Sequence, residues 1–161
     1  MSYTVTVTVT ADPTTVWTIL ADIDTWPDWN PACVSAARDG ALTAGTRLRL
    51  QLRLPRGRTF WTAPTIRDVT SPTLLAWDTR ALGMRAPTRI SLEPDETGTR
   101  VTLTSESRGP LGFAYRLTFP EKTQAQLWSG ALTGLAQSFR TPPDAAGSPD
   151  RATLFGDGGP S

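Results

Sequence analysis

The chain has 161 residues, and its sixteen basic and fifteen acidic residues leave a net charge of +1. This length suits one domain with a core, or with a core plus a ligand cavity. The balanced charge gives no reason to expect nucleic acid or a membrane as a partner. No run of about 18 apolar residues is present and residues 1–10 lack the layout of a signal peptide, so we expect a cytoplasmic protein without membrane insertion.

The residue types that are missing narrow the chemistry further. The chain has no histidine, and Cys33 is its only cysteine. These absences exclude histidine-based triads and bases, disulfides and cysteine-rich zinc sites. No glycine-rich phosphate-binding pattern follows a strand. We therefore predict no metal and no cofactor, and any catalysis must use carboxylates, hydroxyls, arginine, aromatic side chains, backbone groups or shape.

The N-terminal part predicts one strand followed by one or two short helices. Residues 2–10 alternate strictly, which predicts a strand whose buried face carries Tyr3, Val5, Val7 and Val9. Asp12 as a cap and Pro13 as the first helical residue predict a helix. Its buried face would hold Val16, Trp17, Ile19 and Leu20. Residues 22–31 are rich in turn formers and aromatic residues, which predicts a short second helix or a turn.

The middle of the chain predicts a run of antiparallel strands. Alternating segments with turn residues between them lie at 34–38, 46–54, 59–69, 73–81, 85–93 and 99–107. In the second of these segments leucines alternate with Arg47, Arg49 and Arg53, which indicates a solvated outer face. With the N-terminal strand, we expect about seven strands.

Residues 119–140 carry the pattern of one long amphipathic helix. A period of 3.6 residues places an apolar stripe at Trp128, Leu132, Leu135 and Phe139. The opposite face would carry Thr123, Gln126, Gly130, Gly134 and Gln137. Residues 111–118 fit a helical lead-in that bends at Pro120, without a firm assignment. Residues 141–161, rich in Pro, Gly, Asp and Ser, predict a disordered tail, so the domain would span residues 1–140.

Six short segments follow one another with a particular order and spacing: VTVTADP at 7–13, VW at 16–17, DTWPDW at 24–29, LLAW at 74–77, ISLEP at 90–94 and GTRVT at 98–102. In this order they resemble START-like, or SRPBCC, domains, and most closely the polyketide cyclase/dehydrase branch. The resemblance implies an α+β helix-grip fold, in which a curved antiparallel sheet of about seven strands wraps around the long C-terminal helix and encloses an apolar cavity. Many members carry a histidine in this cavity, and its absence here argues against histidine-dependent chemistry.

Alternation within this fold predicts which side chains line the cavity. Inward strand positions, the start of the last helix and the loop over the cavity mouth predict ligand contacts at Trp26, Trp29, Phe60, Trp77, Thr88, Ile90, Ser105, Gln124 and Trp128. We expect Trp26 and Trp29 at the entrance, although each tryptophan also fits a purely structural place in the core. Glu121 and Glu106 are weak catalytic candidates. Glu121 equally suits the helix dipole, and alternation points Glu106 outward unless the strand end twists it inward.

Two main classes of function remain open. The first is an enzyme that promotes cyclisation or dehydration of a polyketide-like or aromatic molecule in natural-product biosynthesis, using cavity shape and a few hydrogen bonds. The second is a non-catalytic carrier or sensor of a lipidic molecule, and a protein-interaction module is a third, weaker candidate. The resemblance favours the first. In the first two classes the partner is a small hydrophobic molecule, and the oligomeric state is open between monomer and homodimer.

Overall fold

The structure, a computed structural model, describes residues 2–81, 83–110 and 121–140. The side chain of Glu121, the segment 111–118 and the predicted tail 141–161 lie outside the described residues. In chain order the described elements are β1 (Ser2–Val9), α1 (Pro13–Ala21), a 3₁₀ turn (Ile23–Thr25), α2 (Trp26–Trp29), β2 (Cys33–Arg38), β3 (Leu48–Arg53), β4 (Thr59–Thr62), β5 (Thr65–Thr70), β6 (Leu74–Ala81), β7 (Met84–Asp95), β8 (Gly98–Glu106) and α3 (Glu121–Arg140).

The strands form two antiparallel sheets, one of five strands in the order β1-β8-β7-β6-β5 and one of three in the order β2-β3-β4. A bridge between Arg47 and Thr65 joins the two sheets. The described residues therefore contain eight strands, where the sequence predicted about seven. The predicted strand 59–69 divides at Pro64, because proline has no N–H to donate to a ladder and the chain passes there from one sheet to the other.

Helix α3 packs against β1 and α2. Its buried side chains are Gln124, Leu127, Ala131, Leu132, Leu135 and Ala136. The predicted stripe is confirmed at Leu132 and Leu135, whereas Trp128 and Phe139 at its edges are half-buried. The buried arc is wider than predicted because the helix is contacted on two sides, by the sheet and by α2.

Gly134 shows how α2 approaches the helix. A Cβ atom at this position would collide with the backbone oxygen of Trp29 and lie 2.8 Å from Cδ of Pro31. The sequence placed Gly134 on the face opposite the apolar stripe, and the structure uses its missing side chain to bring two backbones together.

The end of the domain near α1 and α2 is filled by large apolar side chains. Val16, Leu20 and Trp26 are fully buried there. The indole N–H of Trp26 donates a 2.8 Å hydrogen bond to the backbone oxygen of Leu20, which satisfies its one polar group. The turn-rich segment, predicted as a short second helix or a turn, is a 3₁₀ turn followed by a short helix, and both are embedded in the core.

Candidate functional site

A cavity of about 60 Å³, partly open to solvent, lies between the two sheets and the first half of α3. Both sheets and the helix contribute to its wall, which is mostly apolar. The lining residues are Tyr3, Leu50, Leu52, Phe60, Thr62, Pro64, Trp77, Thr79, Ala86, Thr88, Ser105, Gln124, Leu127 and Trp128.

One wall of the cavity is a single row of paired residues across four strands. Trp77 pairs with Thr88, Thr88 pairs with Ser105, and Ser105 pairs with Tyr3. Residues paired directly across antiparallel strands share a face, so alternation along the strands brings these four side chains together. We call them the cavity row. Thr88 and Ser105 are only 6% and 3% exposed, and their hydroxyl oxygens are 2.9 Å apart, within hydrogen-bond distance.

The next inward row contains no polar group. Leu75 pairs with Ile90, Ile90 with Leu103, and Leu103 with Val5, two residues further along each strand. We call these four residues the packed row. Leu75, Ile90 and Leu103 are at most 1% exposed, and they belong to the continuous hydrophobic core. The cavity therefore begins where the inward side chains become small or polar.

The tryptophans connect these two regions. The ring centroid of Trp26 lies 5.9 Å from that of Trp29 and 6.0 Å from that of Trp77. Trp77 in turn lies 5.7 Å from Trp128 on α3. Four tilted indoles thus run from the filled end of the domain to the cavity wall, part of which Trp77 and Trp128 form.

The structure brings six of the predicted ligand-contact residues to the cavity, namely Phe60, Trp77, Thr88, Ser105, Gln124 and Trp128. The other three lie elsewhere. Ile90 is in the packed row, and Trp26 is fully buried in the core. Trp29 is 9% exposed and faces a groove between α2 and α3, so neither tryptophan is at the cavity entrance. The ligand contacts themselves remain predictions.

Several lining residues were missed as site residues. Leu127 lies one position before the predicted stripe of α3, and Ala86 lies two residues before Thr88 on the inward face of β7. In the sequence, the small size of Ala86 at the inward position before Thr88 indicated that the cavity extends to this residue. Leu50 and Leu52 were expected to face inward, but leucine at such a position does not distinguish cavity wall from core.

Glu106 lies outside the cavity, as alternation indicated. Its neighbour Ser105 faces inward, whereas the carboxylate of Glu106 accepts a 2.7 Å hydrogen bond from Arg108 on the outer side. This bond lowers the pKa of Glu106 below its ordinary value. Among the described residues, no carboxylate, thiol or basic side chain lines the cavity, so the wall offers hydrogen bonds and shape.

Asp78 is the buried carboxylate on the outer side of the five-stranded sheet. Its Oδ2 atom accepts hydrogen bonds from Nε of Arg67 at 3.0 Å and Nε of Arg85 at 2.5 Å. Asp78 is 1% exposed, and these hydrogen bonds offset part of the cost of burying its carboxylate. Because Arg67 follows Ile66 on β5 and Arg85 lies on β7, the cluster ties three adjacent strands together.

Metal binding and membrane spanning find no support in the described part of the chain. No three of its Cys, Asp and Glu side chains stand close enough to hold a metal ion. None of its helices has the length and apolar character needed to cross a bilayer.

An antiparallel sheet that grips a long C-terminal helix around a mostly apolar cavity defines a helix-grip domain, and the fold predicted from the sequence is confirmed. The chain belongs to the family described as polyketide cyclase/dehydrase and lipid transport, whose sequence model matches residues 1–140. No curated protein matches the chain.

Solved structures share this fold at low sequence identity. Protein NE0264 from Nitrosomonas europaea matches with a TM-score of 0.67 and 20% identity, over 87% of this chain and 94% of that chain. TTHA0849 from Thermus thermophilus matches with a TM-score of 0.70 and 17% identity, over 87% of this chain and 97% of that chain.

The di-domain ARO/CYC BexL from the BE-7585A biosynthetic pathway matches with a TM-score of 0.72 and 17% identity. The match covers 89% of this chain and 51% of BexL, so this chain corresponds to about half of that protein. At such identities these likenesses establish the fold alone.

Proposed function

We propose that the protein binds a hydrophobic, polyketide-like or aromatic small molecule in this cavity and promotes its cyclisation or dehydration in natural-product biosynthesis. The observation that carries the proposal is the buried hydroxyl pair of Thr88 and Ser105 in an otherwise mostly apolar wall. A few placed polar groups in an apolar cavity are typical of ligand sites. Membership of the polyketide cyclase/dehydrase family supports this class of ligand.

The lining residues suit positioning more than proton transfer. The hydroxyls of Thr88 and Ser105 and the amide of Gln124 are hydrogen-bonding groups able to orient a carbonyl oxygen. In a cyclisation an enol carbon attacks a carbonyl carbon: a carbon–carbon bond forms, the carbonyl π bond opens and its oxygen takes up a proton, and the enol oxygen releases its proton as it becomes a ketone. Dehydration then removes the new hydroxyl group together with a hydrogen of the adjacent carbon as water, which leaves a carbon–carbon double bond. Holding the two carbons in a near-attack arrangement lowers the barrier by several kcal/mol.

The phenol of Tyr3 is the lining group best suited to supply a proton to the developing alkoxide. A phenol is more acidic than the alcohols of Thr88 and Ser105, and Tyr3 pairs with Ser105 at the end of the cavity row. Tyr3 is thus a candidate donor on the same wall of the cavity as the hydroxyl pair.

The size of the cavity implies that it opens to admit a ligand. Its volume of about 60 Å³ is far below the roughly 300–1,000 Å³ of typical ligand pockets. Phe60 and Trp128 line it and are half-buried, whereas Trp77 is buried. Movement of Phe60 and Trp128 is therefore the least costly way to enlarge it, because these rings have fewer buried contacts to lose.

A non-catalytic carrier or sensor of a lipidic molecule is the second candidate. It is favoured by the absence of carboxylate, thiol and basic groups among the described lining residues. Incubation with a linear poly-β-carbonyl thioester separates the two functions. An enzyme forms one cyclised or dehydrated product, followed by mass spectrometry, faster than it forms without protein, whereas a carrier does not raise this rate.

Gln124→Leu tests where the ligand binds. Gln124 is buried at the cavity wall, and losing one good hydrogen bond to the ligand should weaken binding by about tenfold. We expect the fold to remain intact. Gln137→Leu, at an exposed position of the same helix, is the matched control and should bind normally. If Gln124→Leu unfolds yet binds normally per folded molecule, Gln124 is structural and the pocket lies elsewhere.

A further inference from the structure

The near-zero net charge conceals a strong segregation of charge along the chain. Residues 33–67 contain seven arginines and one acidic residue, Asp39, whereas residues 2–32 contain four aspartates and no basic residue. The arginine-rich segment spans β2, β3 and β4, which form the three-stranded sheet. Residues 33–67 therefore carry a net charge of +6, although the whole chain carries only +1.

The arginines share one face of this sheet. On β3, Leu48, Leu50 and Leu52 are buried, so the alternate residues Arg49 and Arg53 point outward. Trp61 of β4 pairs with Gln51 between them and therefore lies on the same outer face. Arg47 and Arg49 also border one groove with Ala37 and Ala63. We call the outer side chains Arg47, Arg49, Arg53 and Trp61 the basic face.

The charges of the basic face are not neutralised within the described residues. The ion pairs there involve Arg67, Arg85, Arg100 and Arg108, and none of them includes Arg47, Arg49 or Arg53. Trp61, in the middle of the face, is 59% exposed, the most exposed large apolar side chain of the described residues. Unpaired arginines around an exposed indole form a surface that an anionic partner with an apolar layer can complement.

We propose that the basic face docks onto the anionic headgroups of a lipid bilayer without inserting a helix. Arginines close to an anionic surface each strengthen adsorption by about fivefold. An indole has an apolar body and one polar N–H, and it partitions into the headgroup region of a membrane. Both features match a headgroup layer, whereas an acidic protein would require complementary carboxylates and also an apolar pocket for Trp61.

Docking at this face would act on the cavity through the same strands. Phe60 and Thr62 flank Trp61 on β4, and both line the cavity from the inner side of the sheet. A displacement of Trp61 on docking would therefore also displace its neighbour Phe60, one of the two half-buried rings at the cavity. This link to ligand exchange with the bilayer rests on the proposed function, whereas the docking itself does not.

The test uses ligand-free protein and vesicles of phosphatidylcholine with or without about one third phosphatidylserine. We expect sedimentation with the anionic vesicles only, and weaker binding as salt rises. Arg49→Gln combined with Arg53→Gln should weaken binding roughly 25-fold. Arg80→Gln combined with Arg89→Gln, two exposed arginines of the five-stranded sheet, is the control and should change binding less than twofold.

A second readout reports on Trp61 itself. The emission difference between wild type and Trp61→Phe should shift to shorter wavelength when anionic vesicles are added, because the indole enters a less polar layer. Equal binding to neutral and anionic vesicles, or an equal loss in both double variants, would overturn the proposal. Binding to polyglutamate but not to vesicles would also overturn it and would assign the face to an acidic protein. None of these outcomes depends on ligand binding or turnover.

Discussion

The cavity row and the packed row lie next to each other on the same sheet, but the first lines the cavity and the second is part of the filled core. Ser105 and Leu103 are 3% and 0% exposed and lie two residues apart on β8. Burial therefore does not distinguish the two rows. The difference is volume and polarity, because Thr88 and Ser105 replace the branched apolar side chains of Ile90 and Leu103. One sheet face thus serves as core at one end and as cavity wall at the other.

The largest expected effect is in the packed row. Leu103→Ala removes a fully buried side chain and should lower the free energy of unfolding by about 3–5 kcal/mol, since the filled core cannot collapse around the gap. Ser105→Ala, two residues away, should lower it by about 1 kcal/mol. Urea unfolding of both variants measures the contrast. Equal losses would show that the two rows are packed alike.

A pair of glycines on α3 gives the next largest contrast. Gly134→Ala pushes a methyl group into the backbone of Trp29 and should destabilise the fold by about 1–3 kcal/mol. Gly130→Ala meets no atom within 4 Å and should stabilise it by about 0.5–1 kcal/mol through helix propensity. Thermal unfolding should therefore move the midpoint in opposite directions. A shift of the same sign in both would mean that α2 does not press against Gly134.

The hydroxyl pair should show coupling. Thr88→Val or Ser105→Ala alone leaves the other buried hydroxyl without its partner and should cost about 1 kcal/mol. The double variant should cost less than the two single losses added together, because both hydroxyls are removed. A double-mutant cycle by urea unfolding measures this coupling. Strict additivity would show that the two oxygens do not interact.

The smallest effect is expected at Glu106, next to Ser105 but outside the cavity. Its folded pKa lies below the ordinary value of 4.5 because Arg108 donates to it. Its small contribution to stability should therefore be present above pH 4.5 and should fade as the pH falls through the lower folded pKa. Stability measured against pH for wild type and Glu106→Gln checks this. Glu106→Gln should leave ligand binding unchanged, and weaker binding would bring Glu106 into the site.

The sequence predicted the inward positions because the period of a strand is two residues and a pairing error would expose a whole apolar face. It therefore placed Thr88 and Ser105 on one wall. It misplaced Trp26, because a tryptophan in a turn-rich segment fits core or cavity mouth equally well until the packing of α1 and α2 is known.

The part of the cavity wall formed by the three-stranded sheet could also not be predicted from the sequence. The alternation of residues does not predict that Pro64 divides a strand between two sheets, because this division depends on which strands pair with residues 59–62 and 65–70. The cavity volume depends on how closely α3 approaches both sheets, and the contact of α2 with Gly134 could not be predicted for the same reason. The periodicity of one helix or strand predicts which face is buried, but it does not predict the distance to the neighbouring elements.

Filling the cavity tests the central claim most directly. Ala86 lies on its wall and is 6% exposed, and Ala86→Leu adds three carbon atoms of apolar bulk there. Binding of the dye 1-anilinonaphthalene-8-sulfonate to the folded protein, followed by fluorescence titration, is the measurement. The account predicts that Ala86→Leu loses dye binding while its free energy of unfolding stays within about 1 kcal/mol of wild type. Normal dye binding together with a loss of about 1–3 kcal/mol, as in an overpacked core, would contradict it.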